Sequence, residues 1–100
     1  MSTAEHQPRI VITYCTQCRW LFRATWLAQE LLTTFTTDIA ELALQPGIGG
    51  VFRVAVDEHV VWDRRIDGGF PDLGQLKRAI RDQVAPGRDL GHTDRVAAPS

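Results

Sequence analysis

The chain has 100 residues, 44 % of them hydrophobic, and a formal net charge of −1. That is enough for one small domain with a modest core. The near-neutral balance excludes a general electrostatic footprint for nucleic acid or a membrane surface, and no apolar run approaches the ~18–20 residues that cross a bilayer.

Residues 1–8 read as a polar N-terminal tail. Met1–Gln7 lacks the hydrophobic core of a signal peptide, so the expected compartment is the cytoplasm. Ile10, Val11 and Ile12 in succession suggest a strand over 9–14 that is covered on both faces, with an edge strand bearing one apolar face as the alternative. Cys15-Thr16-Gln17-Cys18 follows at once and holds both cysteines of the chain. A bridge over two residues closes too short a loop to stabilise a fold. A catalytic or sensing dithiol is therefore the expectation, at Cys15 and Cys18.

From Arg19 to about Phe35 the apolar positions recur at three- and four-residue steps (Leu21, Ala24, Ala28, Leu31, Leu32, Phe35), which predicts an amphipathic helix of about four turns. The threonine-rich stretch from Thr33 to Asp38 favours its termination. If this helix starts near the cysteines, its unpaired N–H groups and dipole favour a thiolate at Cys15, which would attack, while Cys18 lies one turn further in and resolves. Arg19 adds positive charge beside the pair. Phe22 and Trp26, four residues apart, face core or form an exposed apolar ridge that would mark an interaction site.

Ile39–Leu44 alternates as a second strand, with Ile39, Glu41 and Ala43 on one face and Ala40, Leu42 and Leu44 on the other. The intervening helix implies that it runs parallel to the first. Gln45–Gly50 breaks the pattern with three glycines and a proline. Val51–Val56 and Val60–Trp62, separated by Asp57-Glu58-His59, predict an antiparallel hairpin. In it His59 is expected to be solvated and Trp62 to pack on the sheet. Arg64-Arg65 reads as a solvated pair, or as a seat for an anionic group such as a glutathione carboxylate. After Gly68-Gly69-Phe70-Pro71, the spacing Leu73, Leu76, Ile80, Val84 predicts a second helix with Lys77, Arg78, Arg81 and Asp82 outward. Pro71 or Asp72 starts it and Pro86-Gly87 ends it. Phe70 is expected beside the dithiol loop. Residues 87–100 lack apolar pattern and read as a disordered tail.

A metal centre is the weaker chemical reading, in one chain or shared across a dimer. Structural zinc takes about four ligands, and beyond the two thiols the chain has three isolated histidines, His6, His59 and His92.

The ordered set Tyr14–Cys18, Pro46–Val54, Val60–Trp62 and Gly68–Asp72 resembles the selenoprotein W-like group, the Rdx (SelT/SelW/SelH) family, over roughly residues 9–86. The resemblance implies an α/β (α+β), thioredoxin-like fold, β-α-β-β-β-α, with a four-stranded mixed sheet and two helices. It implies a thiol–disulfide redox role in cell redox homeostasis, exchanging with glutathione or protein thiols and needing no bound cofactor. In animal members the second motif position is often selenocysteine. Here it is Cys18, so the analogy admits Cys18 as the attacking group where the helix argument favours Cys15. Thr16, Gln17, Arg19 and Phe70 become candidate contacts for glutathione or a partner. A thioredoxin proper carries a cis-proline facing its dithiol, and Pro46 is the one proline here near a strand start. The competing reading is a redox-switched adaptor that binds a partner through the helix face and the dithiol loop.

Overall fold

In the computed structural model, which describes residues 7–91, the β-branched run after Pro8 forms the strand about which the sheet is built. This is β1 (Arg9–Cys15). It pairs in parallel with β2 (Glu41–Gly47) on one side and antiparallel with β3 (Phe52–Val56) on the other, and β4 (His59–Asp63) completes the order β2-β1-β3-β4. Between the first two strands lies α1 (Leu21–Phe35). After β4 come a single turn of helix, α2 (Arg64–Asp67), and then α3 (Leu73–Val84). The mixed four-stranded sheet stands as expected, and α2 is an addition to the two expected helices.

Alternation along the strands decides which residues face the helices. Ile10, Ile12 and Tyr14 of β1 form one buried cluster with Phe52, Val54 and Val56 of β3, Leu27, Leu31 and Phe35 of α1, and Leu76 and Ile80 of α3. Fully burying such a side chain contributes about 1.5–3 kcal/mol. The alternate row stays outside that cluster: Val11 and its partners Ala43 and Ala55 are part-buried, Gln45 is exposed, and Thr13, though buried, is polar and donates to the Gln45 side chain, with Cys15 buried at the strand's end. The sheet is therefore covered on one face, not two. β1 avoids an edge by pairing on both sides.

Several local expectations shift. β2 runs on through Pro46 and Gly47, opposite Tyr14 and Cys15, so the break narrows to residues 48–51. Every described peptide bond is trans, Pro46 included. Ile39 precedes β2 and reaches the core, so it does not obey the strand's alternation. The hairpin turn is Asp57-Glu58, with His59 already paired to Val56 and exposed. Asp57 adopts φ +54°, a conformation that Asp tolerates better than most residues. A bulge between Val54 and Ala55 shifts the β3–β4 register.

Asp72 caps α3 by accepting from the Gln75 amide at 3.0 Å. Lys77 is not outward. It is 8 % exposed, and its ammonium reaches the Glu30 carboxylate on α1 at 3.2 Å, tying the two helices together. Nor is the chain after Gly87 wholly tail-like: Arg88 pairs with Asp38, and Leu90 packs against the core. Residues 1–6 and 92–100, with His6, His92 and most of both expected tails, lie outside the described residues.

Candidate functional site

β1 delivers Cys15 to the end of the sheet, opposite Gly47. The chain then turns tightly: Thr16 N–H donates to the Gly47 carbonyl at 2.9 Å and Arg19 N–H to the Thr16 carbonyl at 3.3 Å. Arg19 takes φ +60° and Trp20 precedes the first helical residue, Leu21. Both cysteines thus lie ahead of α1, and neither is in its first turn. The premise for a helix-terminus thiolate fails, and so does the expected order of shielding. Cys15 is 0 % exposed, whereas Cys18 is partly exposed.

Both are free thiols, with Cys18 Sγ donating to Cys15 Sγ at 2.7 Å. A small movement closes that gap to the ~2.0 Å of an S–S bond. Burial pushes the Cys15 thiol up, but the Cys18 S–H and the amides of Gly50, Cys18 and Gln17 all donate to its sulfur, and together they bring it below the ordinary thiol value. Cys18 moves the other way. Giving its proton to Cys15 raises it, burial and the Cys15 charge raise it further, and the Gly50 amide and the Arg64 charge oppose this without winning.

The glycine loop is therefore part of the site. Gly50 aims its amide at both sulfurs, with φ +78°. At Gly47 a Cβ would stand 2.8 Å from Val51 Cγ1, so only glycine fits where the loop meets β1. The loop is held from both sides. Thr16 Oγ1 donates to the Gly47 carbonyl at 3.0 Å, and the Gly49 amide donates to Gln17 Oε1 at 3.4 Å. From α2, Arg65 donates to the Gly49 carbonyl and Arg64 reaches the Gly50 carbonyl at 3.5 Å.

For Arg64 the solvated reading of the basic pair fails. Instead its guanidinium stands 5.0 Å from the Trp20 ring and 5.7 Å from Phe70, with Nε buried and unpaired. Phe70 meets Trp20 edge-on at 4.9 Å and Phe52 at 5.1 Å, and the Arg23 guanidinium lies 3.9 Å from its ring. It flanks the dithiol turn through Trp20. Trp62 packs on the core and also donates its indole N–H to the Gly69 carbonyl at 2.9 Å, fixing the turn that carries Phe70.

Of the expected contact residues, Thr16, Gln17 and Arg19 are exposed on the dithiol turn, and Phe70 lies to one side of it. Gly50, Arg64 and Trp20 join them. The glycine-rich break at 45–50 and the Arg64-Arg65 pair were the sequence signals for the first two. Among the described residues no three of His, Cys, Asp and Glu gather in a metal-binding group, and no helix is long and apolar enough to cross a membrane.

The sequence profile of the Rdx family matches residues 9–82. The chain belongs to the Rdx family. Its similarity to other proteins runs across most of the described residues. A crystal structure of a protein from Bordetella parapertussis is 57 % identical, with a TM-score of 0.77, covering 79 % of this chain and all of that one. The selenoprotein W-related protein of Vibrio cholerae is 42 % identical with a TM-score of 0.76, covering 78 % and 98 %. Migration and invasion enhancer 1 of Bos taurus is 32 % identical over 78 residues, 76 % of this chain and 64 % of that protein, so the match spans less than two thirds of the bovine relative. This Rdx chain is thus selenoprotein W-like, with a thioredoxin-like fold, in a redox-associated family. It places two cysteines close together at the end of its central strand.

Proposed function

We propose that this Rdx protein is a thiol–disulfide exchange protein in which Cys18 attacks and Cys15 resolves, acting on glutathione disulfide or protein disulfides in cytoplasmic redox homeostasis. The observation that carries the proposal is the pairing of a partly exposed Cys18 thiol with a buried Cys15 sulfur 2.7 Å away. A disulfide substrate can reach Cys18, while Cys15 is closed to solvent and has the Cys18 sulfur beside it.

The steps balance. Cys18 passes its proton to the Cys15 thiolate and attacks one sulfur of the substrate disulfide. The substrate S–S bond breaks, and its leaving thiolate takes the proton now held by Cys15. Cys15, a thiolate again, attacks the Cys18 sulfur of the mixed disulfide. The second substrate thiolate departs, and the protein is left oxidised by two electrons as a Cys15–Cys18 disulfide. The downward shift of Cys15 keeps it as a thiolate, which places a base beside the Cys18 thiol in the first step and a nucleophile in the second. A second reading, a redox-switched adaptor, is favoured by one observation, the exposure of Phe22 and Trp26 close to the dithiol.

Trapping tests the order of attack. With the resolving cysteine removed, Cys15→Ser should accumulate a mixed disulfide at Cys18 on exposure to oxidised glutathione, read by intact mass. Cys18→Ser should capture at least tenfold less. Capture by Cys18→Ser and not by Cys15→Ser would reverse the roles, and capture by neither would remove the exchange reading.

A further inference from the structure

The end of the molecule that carries the dithiol has an apolar groove and a set of unpaired cations. Phe22 is 81 % exposed and Trp26 48 % exposed. With Arg23 they line an open groove of about 410 Å³, and Arg23 and Trp26 also wall a narrower cleft floored by Phe52 and Phe70. Large aromatics left in water beside a reactive group mark a contact surface, and Trp and Arg are the residues most often found at its energetic centre.

The charges indicate what fits. Among the described residues Arg9, Lys77, Arg81 and Arg88 each pair with a carboxylate. Six others, Arg19, Arg23, Arg53, Arg64, Arg65 and Arg78, do not, and four of these, Arg19, Arg23, Arg64 and Arg65, lie on the dithiol turn, at the start of α1 or on α2, where they meet carbonyls or aromatic rings or stand in solvent. Asp63 and Asp67, near two of them, accept backbone amides of α2 and β4. In a chain of net charge −1, positive charge left unpaired around one site calls for a negative partner.

Length narrows the partner further. Trp26 lies six residues beyond Trp20 along α1, about 9 Å at the helical rise. An extended segment that lies along the helix over that length takes about three residues. Glutathione has one residue on each side of its cysteine.

We propose that the α1 groove is a docking site for a polypeptide substrate whose disulfide is followed by apolar and acidic residues. The proposal rests on the exchange reading above and names the substrate class for the same dithiol. The docked segment seats an apolar side chain between Phe22 and Trp26, an Asp or Glu against Arg23, and its disulfide at Cys18. The reaction is the two-electron exchange already written, so the pre-reduced protein needs no other reductant for one turnover.

The test is a single-turnover comparison on the full chain with three disulfides. These are oxidised glutathione, the disulfide-linked dimer of a peptide with Leu and Glu after its cysteine, and the same dimer with Lys for Glu. Each rate is divided by that of dithiothreitol on the same disulfide. The proposal expects the Glu peptide to react at least tenfold faster than the Lys peptide. It expects Arg23→Glu to reverse that order. It expects Phe22→Ser/Trp26→Ser, confirmed as folded by circular dichroism, to bring the ratio of Glu peptide to glutathione down at least tenfold. Equal normalised rates for all three disulfides would overturn the docking site and leave the exchange reading standing, as would a preference unchanged in both variants. Failure of all three to react would overturn both.

Discussion

Cys18 sits where solvent can reach it and Cys15 where it cannot, and the two thiols are pushed to opposite sides of their ordinary value. The pair should therefore titrate in two steps, the lower belonging to a thiolate centred on Cys15. In Cys18→Ala the strongest donor to Cys15 is gone, so the remaining thiol should titrate higher than the lower step of the parent protein, as followed by thiolate ultraviolet absorbance. A fall instead would mean that Cys18 does not stabilise the Cys15 anion. Arg64 offers a second check. Its charge opposes the rise at Cys18, so Arg64→Met should push Cys18 further up and slow its alkylation at neutral pH. Loss of its ring contacts should cost roughly 0.5–1 kcal/mol of stability, measured by urea unfolding. The two-cysteine motif and its neighbours were legible as residues. Their shielding was not, because Arg19 turns the chain at φ +60° and delays the helix to Leu21. No side chain at that point of the sequence signals a left-handed conformation. Arg64 was equally hidden: two adjacent arginines look alike in sequence, and only the direction of α2 turns one of them over Trp20.

The elements that carry the site are short and rely on close backbone approach. Gly47→Ala should destabilise by about 1–3 kcal/mol, since its Cβ would meet Val51 Cγ1 at 2.8 Å and Thr13 Cγ2 at 3.3 Å, neither on a flexible side chain. Chemical denaturation reads that loss, and a neutral result would show that the loop has room to shift. At α3, Asp72→Ala removes the accepting carboxylate from the Gln75 amide and should cost about 1 kcal/mol. α1, β3 and α3 were legible almost residue for residue, because Leu27–Leu31 and Leu76–Ile80 repeat with the helical period and Phe52, Val54 and Val56 with the strand period. β2 was cut short because Pro46 reads as a break. In the fold it pairs with Tyr14 from β2, an edge strand of the sheet, where a missing amide is tolerated. Lys77 was misplaced because a lysine on a helix reads as solvated, yet its long apolar stem can be buried while its ammonium reaches Glu30.

At the scale of the whole molecule a single apolar layer between one sheet face and two helices supports everything else. Leu76→Ala, at a fully buried position, should remove about 2–5 kcal/mol, a large part of the ~5–15 kcal/mol typical of a domain. Calorimetry should show a melting temperature lower by roughly 10 °C or more. The one-sided sheet could not be read from Ile10-Val11-Ile12, since an unbroken apolar run suits a strand buried on both faces equally well. Its neighbours settle the matter, because Val11, Ala43 and Ala55 are part-buried and stand outside the cluster that the helices close. What the layer holds in place is the dithiol at the sheet's end, and the central claim is that this dithiol cycles. The direct measurement is a redox titration of the wild-type chain in glutathione or dithiothreitol buffers, with the intramolecular disulfide read by mass after alkylation. The account predicts one two-electron transition between Cys15 and Cys18 at a potential of about −270 to −120 mV, the span of working thiol oxidoreductases. A potential below about −300 mV, or no Cys15–Cys18 disulfide at any buffer composition, would contradict it.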